Sequence, residues 1–296
     1  MKPERGSPII DLETLPRIPS WVTSARAETL EDVAFLTGAA LAVLHLVVSR
    51  GEVPQPLLRD RLALRAAEAC VALAGRPERA ADLRDEVHLL RPGDLPGPAG
   101  AICQRWRQAA ARPMTPEGLH RALPDLTRAQ IVFWLEEGQG GPVDRMAQVL
   151  EAVLAEDPRA EATALILADA TLARVMGWNR LLPLFAAHLT MRDLRKTGDE
   201  LRRACHRAVL ASCREAVPLA HDLARRAAKL QSVAPKLRAK GAGKAVEIFL
   251  SRDAVAPSEF TAFMSDRAAR RLCDRLVTLG AVRELTGRDT FRLYGV

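Results

Sequence analysis

The chain has 296 residues, of which 48% are hydrophobic, 27% charged and only 4% aromatic, with a formal net charge of +7. That is enough apolar material for a buried core and about two domains. The scarcity of aromatics beside abundant Ala, Leu and Arg argues against a β-rich fold. The charge is unevenly placed: residues 225–296 hold 15 Lys and Arg against 7 Asp and Glu, and the rest of the chain holds 28 against 29. A basic tail on a neutral body is the electrostatic footprint of a phosphate-facing surface.

Met1–Ile10 is charged and proline-bearing and lacks the apolar core of a signal peptide. Pro3, Pro8, Pro16 and Pro19 describe an extended arm over residues 1–28, anchored by Trp21. Helices are then expected from Thr29, capped against Asp32, to Gly51, from Pro56 to Gly75, and from Pro77 to Leu90. The uncharged run Val33–Val48 is shorter than the ~20 residues of a membrane span and reads as a core helix. Arg91–Gly100, with three prolines and three glycines, is expected to be irregular.

Further helices are predicted over Ala101–Ala111, Pro116–Leu123, Thr127–Glu137, Val143–Glu156, Pro158–Met176 and Trp178–Leu189. Asp199–Gln231 is helical in pattern with Pro218 inside it, so it is either one kinked helix or two. No fixed period of the kind that builds a solenoid emerges. Ala234–Lys244 carries helix breakers and the cations Lys236, Arg238, Lys240 and Lys244, which makes residues 235–244 a basic linker.

The last segment predicts short helices over Ala245–Leu250 and Pro257–Phe263, and a third from Asp266 to Leu279, capped by Ser265 and stopped by Gly280. Two short strands follow around Thr286–Asp289, with Gly287 in the turn. On a helical wheel Arg267, Arg271, Asp274 and Thr278 share an arc of about 60°, flanked by Arg270 and Arg275. Ala269, Leu272, Cys273 and Leu276 take the opposite face. The expected fold is mainly α: a multi-helical domain over residues 29–234 followed by a winged helix-turn-helix with a short β-hairpin over residues 245–296. Its nucleic-acid contacts would be Lys244, Arg267, Arg270, Arg271 and Arg275, with Arg288 and Arg292 on the wing.

Residues PRIPSW, EDVAFLTGAALA, RLALRAAEACVALAGRPERAADLRDEVHLLRPGDLPGPAG, VLEAVLAEDPRAEATALILADATLARVMGW and VAPKLRAKGAGKAVEIFL resemble an alphaproteobacterial family of unknown function, DUF1403. The resemblance implies no activity. The ending LVTLGAVRELTGRDTFRLYGV is similar to the C-terminal helix-turn-helix segment of some Fic-associated DNA-binding proteins. The His-Pro-Phe and anion-loop signature of the Fic enzymes is absent, so the likeness supports the terminal module alone.

Other chemistry is weakly signalled. The five cysteines are odd in number, scattered and set in apolar helical patterns, which reads as reduced buried thiols in a cytoplasm. Cys205, His206, Cys213 and His221 lack the close spacing of a zinc site, and His221-Asp222 lacks the partners of a metal phosphohydrolase. Asp85, Glu86 and His88 read as a surface cluster, and Asp169 as an inward acid that either pairs with a basic side chain such as Arg174 or Arg180 or forms a polar end to the buried face. Neither a metal nor a cofactor is expected, no catalytic motif is present, and no membrane partner is implied. The expected partner is double-stranded DNA, in a cytoplasmic protein compatible with a homodimer and with transcriptional regulation. A scaffold whose winged helix contacts protein, and an enzyme with its site near Asp85, His88 or Asp169, stay open.

Overall fold

The computed structural model of the chain describes residues 15–91, 93–288 and 290–296, and is 66% helical with a single two-stranded sheet among those residues. Pro3, Pro8 and the Met1–Ile10 stretch lie outside the described residues. The arm enters with buried Leu15 and forms a short helix, α1 (Ser20–Ser24), where an extended path was expected. Trp21 is not its anchor. Val22 is the α1 residue turned into the core, and one residue away on a helix lies about 100° round, so Trp21 stays 49% exposed and stacks on Phe35. Arg214 donates to the Val22 carbonyl at 2.6 Å, and His221 Nε2 lies 2.9 Å from the Pro16 carbonyl.

The helical body follows as α2 (Leu30–Val48), α3 (Gln55–Leu73), α4 (Ala80–Leu89), α5 (Pro98–Ala111), α6 (Pro116–Ala122), α7 (Arg128–Glu136), α8 (Pro142–Glu156), α9 (Glu161–Val175), α10 (Met191–Leu194) and α11 (Gly198–Val233). Thr29 and Asp32 close the expected capping box on α2, and Thr127 with Gln130 do the same on α7. By length and mean hydropathy, 1.7, α2 could cross a membrane, yet Val33, Leu36, Ala40, Leu44 and Val47 are buried and the helix packs along α11. The irregular stretch before α5 is shorter than expected, because Pro98 needs no amide hydrogen bond in a first helical turn and opens α5. Pro92 lies outside the described residues.

Trp178–Leu189 is not a helix. The segment runs irregularly through a single bridge, Pro113 to Arg180, to a 3-10 turn at Ala186–His188. Its Leu181, Leu182, Leu184 and Phe185 are all buried, and the Leu184 amide is held by the Asp169 carboxylate at 3.2 Å instead of by a helical carbonyl. Pro183, lacking an N–H, suits such a path. The alternatives at Pro218 resolve to one helix: α11 is 36 residues long and carries Pro218 on its exposed side, where the carbonyl left unpaired by the missing N–H can meet water.

Beyond a 3-10 turn at Ala234–Lys236 comes α12 (Ala242–Phe249). It opens at Gly241, whose φ of 91° disfavours any side chain and whose Cβ would sit 2.7 Å from the Phe263 ring. Val255 then makes a bridge to Tyr294, with both backbone hydrogen bonds at 2.8 and 2.9 Å. The helix expected over Pro257–Phe263 is a 3-10 turn over Pro257–Phe260. Next is α13 (Asp266–Thr278), capped by the Ser265 hydroxyl and followed by Gly280 at φ 61°. Its buried residues are Ala269, Leu272, Cys273 and Leu276, the four on the expected apolar face.

Strands β1 (Arg283–Glu284) and β2 (Tyr294–Gly295) pair antiparallel, Arg283 opposite Gly295 and Glu284 opposite Tyr294. Gly287 lies between them at φ 62°, and Asp289 is outside the described residues. One apolar cluster extends from Leu15 to Val296 and takes in Phe249, Phe260, Leu272 and Leu276. Polar groups also fasten the tail to the body. Asp253, fully buried, accepts from Arg61 Nε at 2.7 Å and from Arg84 Nε at 2.5 Å, and Arg61 Nη2 donates to the Val296 carbonyl at 3.3 Å.

Candidate nucleic-acid interface

The seven cations expected to meet nucleic acid, Lys244, Arg267, Arg270, Arg271, Arg275, Arg288 and Arg292, are all exposed. They do not form one surface. Along α13 the residues Arg267, Arg271 and Arg275 recur every four positions, and they line a cleft of about 660 Å³ together with Lys236 and Arg238 from the linker. Leu237, Ala239 and Leu272 floor this groove. None of the five cations forms an ion pair among the described residues, and no carboxylate lines the groove.

The other side of α13 is different in kind. Arg270 pairs with Asp266 one turn earlier at 3.1 Å, and it lines a second cleft with Asp266, Asp274 and Arg292. Arg292 donates from Nε to the Arg288 carbonyl at 3.0 Å, and the Tyr294 hydroxyl raises its pKa further above the usual guanidinium range. Arg288 reaches the helical body, where its Nη2 lies 2.6 Å from Asp85 on α4. Lys244, on α12, sits 5.8 Å from the centre of the Phe263 ring, within cation–π range. Three of the seven expected residues therefore converge, and Arg270 and Arg288 are engaged with carboxylates.

Lys236 and Arg238 complete the groove. Sequence reasoning had set them in a cationic linker strip without assigning them to the site. Their alternate spacing was the visible signal; what it lacked was the turn at Ala234–Lys236 that brings the strip alongside α13.

The remaining candidates do not gather. Asp85 is bound to Arg288, and His88 on α4 lies 3.5 Å from Glu259. Asp169 is 1% exposed and makes no ion pair among the described residues. Arg174 goes to Glu136 and Arg180 to the Ala111 carbonyl, while Asp169 takes the Leu184 and Phe185 amides, and burial pushes its carboxyl pKa well up. His206 faces Asp144 at 3.5 Å, and Arg202 holds that carboxylate below its usual range despite partial burial. All five cysteines are free and buried, and burial pushes Cys70, Cys205, Cys213 and Cys273 to about 12. Among the described residues no group of three or more His, Cys, Asp or Glu is arranged to hold a metal ion.

No curated protein matches the sequence. A family model described as "Protein of unknown function (DUF1403)" matches residues 7–296, so the chain belongs to that family.

Proposed function

We propose that residues 245–296 act as a winged helix that binds double-stranded DNA, and that the protein is a cytoplasmic, non-enzymatic regulator of transcription. The reading is supported by the order of the elements: a helix, a bridging residue, a 3-10 turn, a second helix and a hairpin whose far strand also pairs with Val255. The single observation that carries it is the groove of five cations, Lys236, Arg238, Arg267, Arg271 and Arg275, that have no ion pair and no lining carboxylate among the described residues. Solvated basic helices are ordinarily interspersed with acids. A run of guanidinium groups left unneutralised beside a parallel cationic strip suits a line of phosphates.

In this proposal α13 enters the major groove, with Arg267, Arg271 and Arg275 at base edges or phosphates, and the linker cations track the backbone. Lys244 adds a backbone contact. Arg288 reaches DNA only by leaving Asp85, and Arg292 lies on the other side of α13 beside Asp266 and Asp274, so they contribute less. A homodimer belongs to the same proposal, because paired modules read two half-sites about one helical turn apart.

The test is binding of a random-sequence 24-base-pair duplex by fluorescence anisotropy across a salt series. The five groove cations and Lys244 make six contacts, which predict a log–log slope of about −5.4, at about −0.9 per contact. Arg271→Ala combined with Arg275→Ala is expected to lower affinity and flatten the slope by about 1.8. Unchanged binding by that variant refutes the assignment of α13.

A further inference from the structure

A second basic cleft, of about 710 Å³, lies where the helical body meets the segment just after α12. Arg59 and Asp60 of α3, His88 of α4, Arg107 of α5, Arg180 of the irregular segment and Arg252 with Glu259 of the tail contribute its polar lining. Two of its four arginines are satisfied. Arg107 grips Asp60 through both Nε and Nη2 at 2.7 Å, and Asp60 also takes the Asp253 amide at 2.8 Å. Arg252 pairs with Glu259, which also accepts from the Ala256 amide.

Arg59 and Arg180 have no carboxylate partner among the described residues. Arg180 donates to the Ala111 carbonyl, and the buried Nε of Arg59 has no hydrogen-bond partner among the described residues. Burial, reinforced by the positive charge of Arg180, brings the Arg59 guanidinium down to about 10. His88 is in a similar position. Its side chain is 10% exposed, Nδ1 faces Glu259, and buried Nε2 has no partner among the described residues. Two guanidinium groups with no carboxylate opposite them among the described residues, one of them with a buried unpartnered Nε, beside an orphan imidazole nitrogen, give the cleft an unmet demand for an anion that also carries a hydrogen-bond donor.

We propose that this cleft binds a small organic phosphate monoester, with the phosphate between Arg59 and Arg180 and His88 Nε2 accepting from a hydroxyl of the organic part. A dianion with three acceptor oxygens matches two guanidinium forks. The volume is in the range of small-molecule sites, roughly 300–1,000 Å³, and far exceeds a bare phosphate. Pro56, Val87, Ala110, Ala111 and Ala254 offer apolar wall for the organic part. The site stands independently of the DNA reading.

The test is isothermal titration of the full chain at fixed ionic strength with ribose 5-phosphate, inorganic phosphate and ribose. Ribose 5-phosphate is expected to bind, inorganic phosphate to bind more weakly, and ribose to give no heat. Arg59→Gln and Arg180→Gln, each checked for folding by circular dichroism, should each weaken binding about tenfold or more, the loss of one charged hydrogen-bonding partner. Arg267→Ala with Arg271→Ala and Arg275→Ala should leave this affinity unchanged, which separates the cleft from the DNA groove. Absence of heat with both phosphate probes overturns the proposal, as does unchanged affinity in folded Arg59→Gln and Arg180→Gln proteins. Equal affinity for inorganic phosphate and the ester overturns the organic part of the ligand.

Discussion

Removing the Asp253 carboxylate tests whether the tail is fastened to the helical body by a buried ion cluster. Asp253 is fully buried and takes Arg61 and Arg84 at 2.7 and 2.5 Å. In Asp253→Ala, Arg84 loses little, on the order of 1 kcal/mol or less, because its side chain is 24% exposed and turns to water. Arg61 cannot turn. Its side chain is 10% exposed, and among the described residues the Val296 carbonyl is the remaining acceptor. Stranding such a charge costs about 3–5 kcal/mol, so the expected loss in equilibrium urea unfolding is about 4 kcal/mol. Adding Arg61→Met removes the stranded charge and should recover most of that loss. The two arginines hold the Asp253 carboxyl below its ordinary value against the effect of burial. Its contribution is therefore present above about pH 4 and fades as pH falls through the lower folded value, so the gap between variant and wild type should close in acid. A loss below about 1 kcal/mol at pH 7, or no recovery in the double variant, refutes this reasoning.

Asp169 behaves in the opposite sense: burial raises its carboxyl pKa and the Leu184 and Phe185 amides oppose this only in part. The folded chain keeps that proton above about pH 4 while the unfolded chain releases it, so stability falls as pH rises across the window. Asp169→Asn should be more stable than wild type at pH 7, with the difference vanishing near pH 3.5; lower stability of the variant throughout denaturation curves at both pH values contradicts this. Burial pushes four thiols to about 12 and Cys103 to about 11, so dithionitrobenzoate at pH 8 should titrate no cysteine in the native protein and all five in urea. Prompt native reaction of any thiol shows that its covering packing opens readily.

The elements that sequence reading located carry their signals locally. Thr29 and Asp32, or Ser265 and Gly280, lie within a turn of the helix end they define, and the buried face of α13 follows from its own spacing. Trp178–Leu189 was misread because a run such as LLPLFAA is apolar all round, and its period does not distinguish a buried irregular segment from a helix. What fixes it is Asp169, fifteen residues from Leu184. The Asp253 cluster was invisible for the same reason at larger scale: Arg61 and Arg84 lie 192 and 169 residues away, and nothing near any of the three marks it as buried. The cleft holding Arg59 and Arg180 is likewise assembled from distant segments.

In the proposed complex the linker-facing side of α13, and not the side that carries Arg270, meets nucleic acid. Salt-dependent duplex binding of two triple variants distinguishes the two sides. Replacing Arg267, Arg271 and Arg275 by Ala should flatten the log–log slope by about 2.7, whereas replacing Arg270, Arg288 and Arg292 should change it by less than about 1. Equal slopes in both variants, or a larger change in the second, contradict the account.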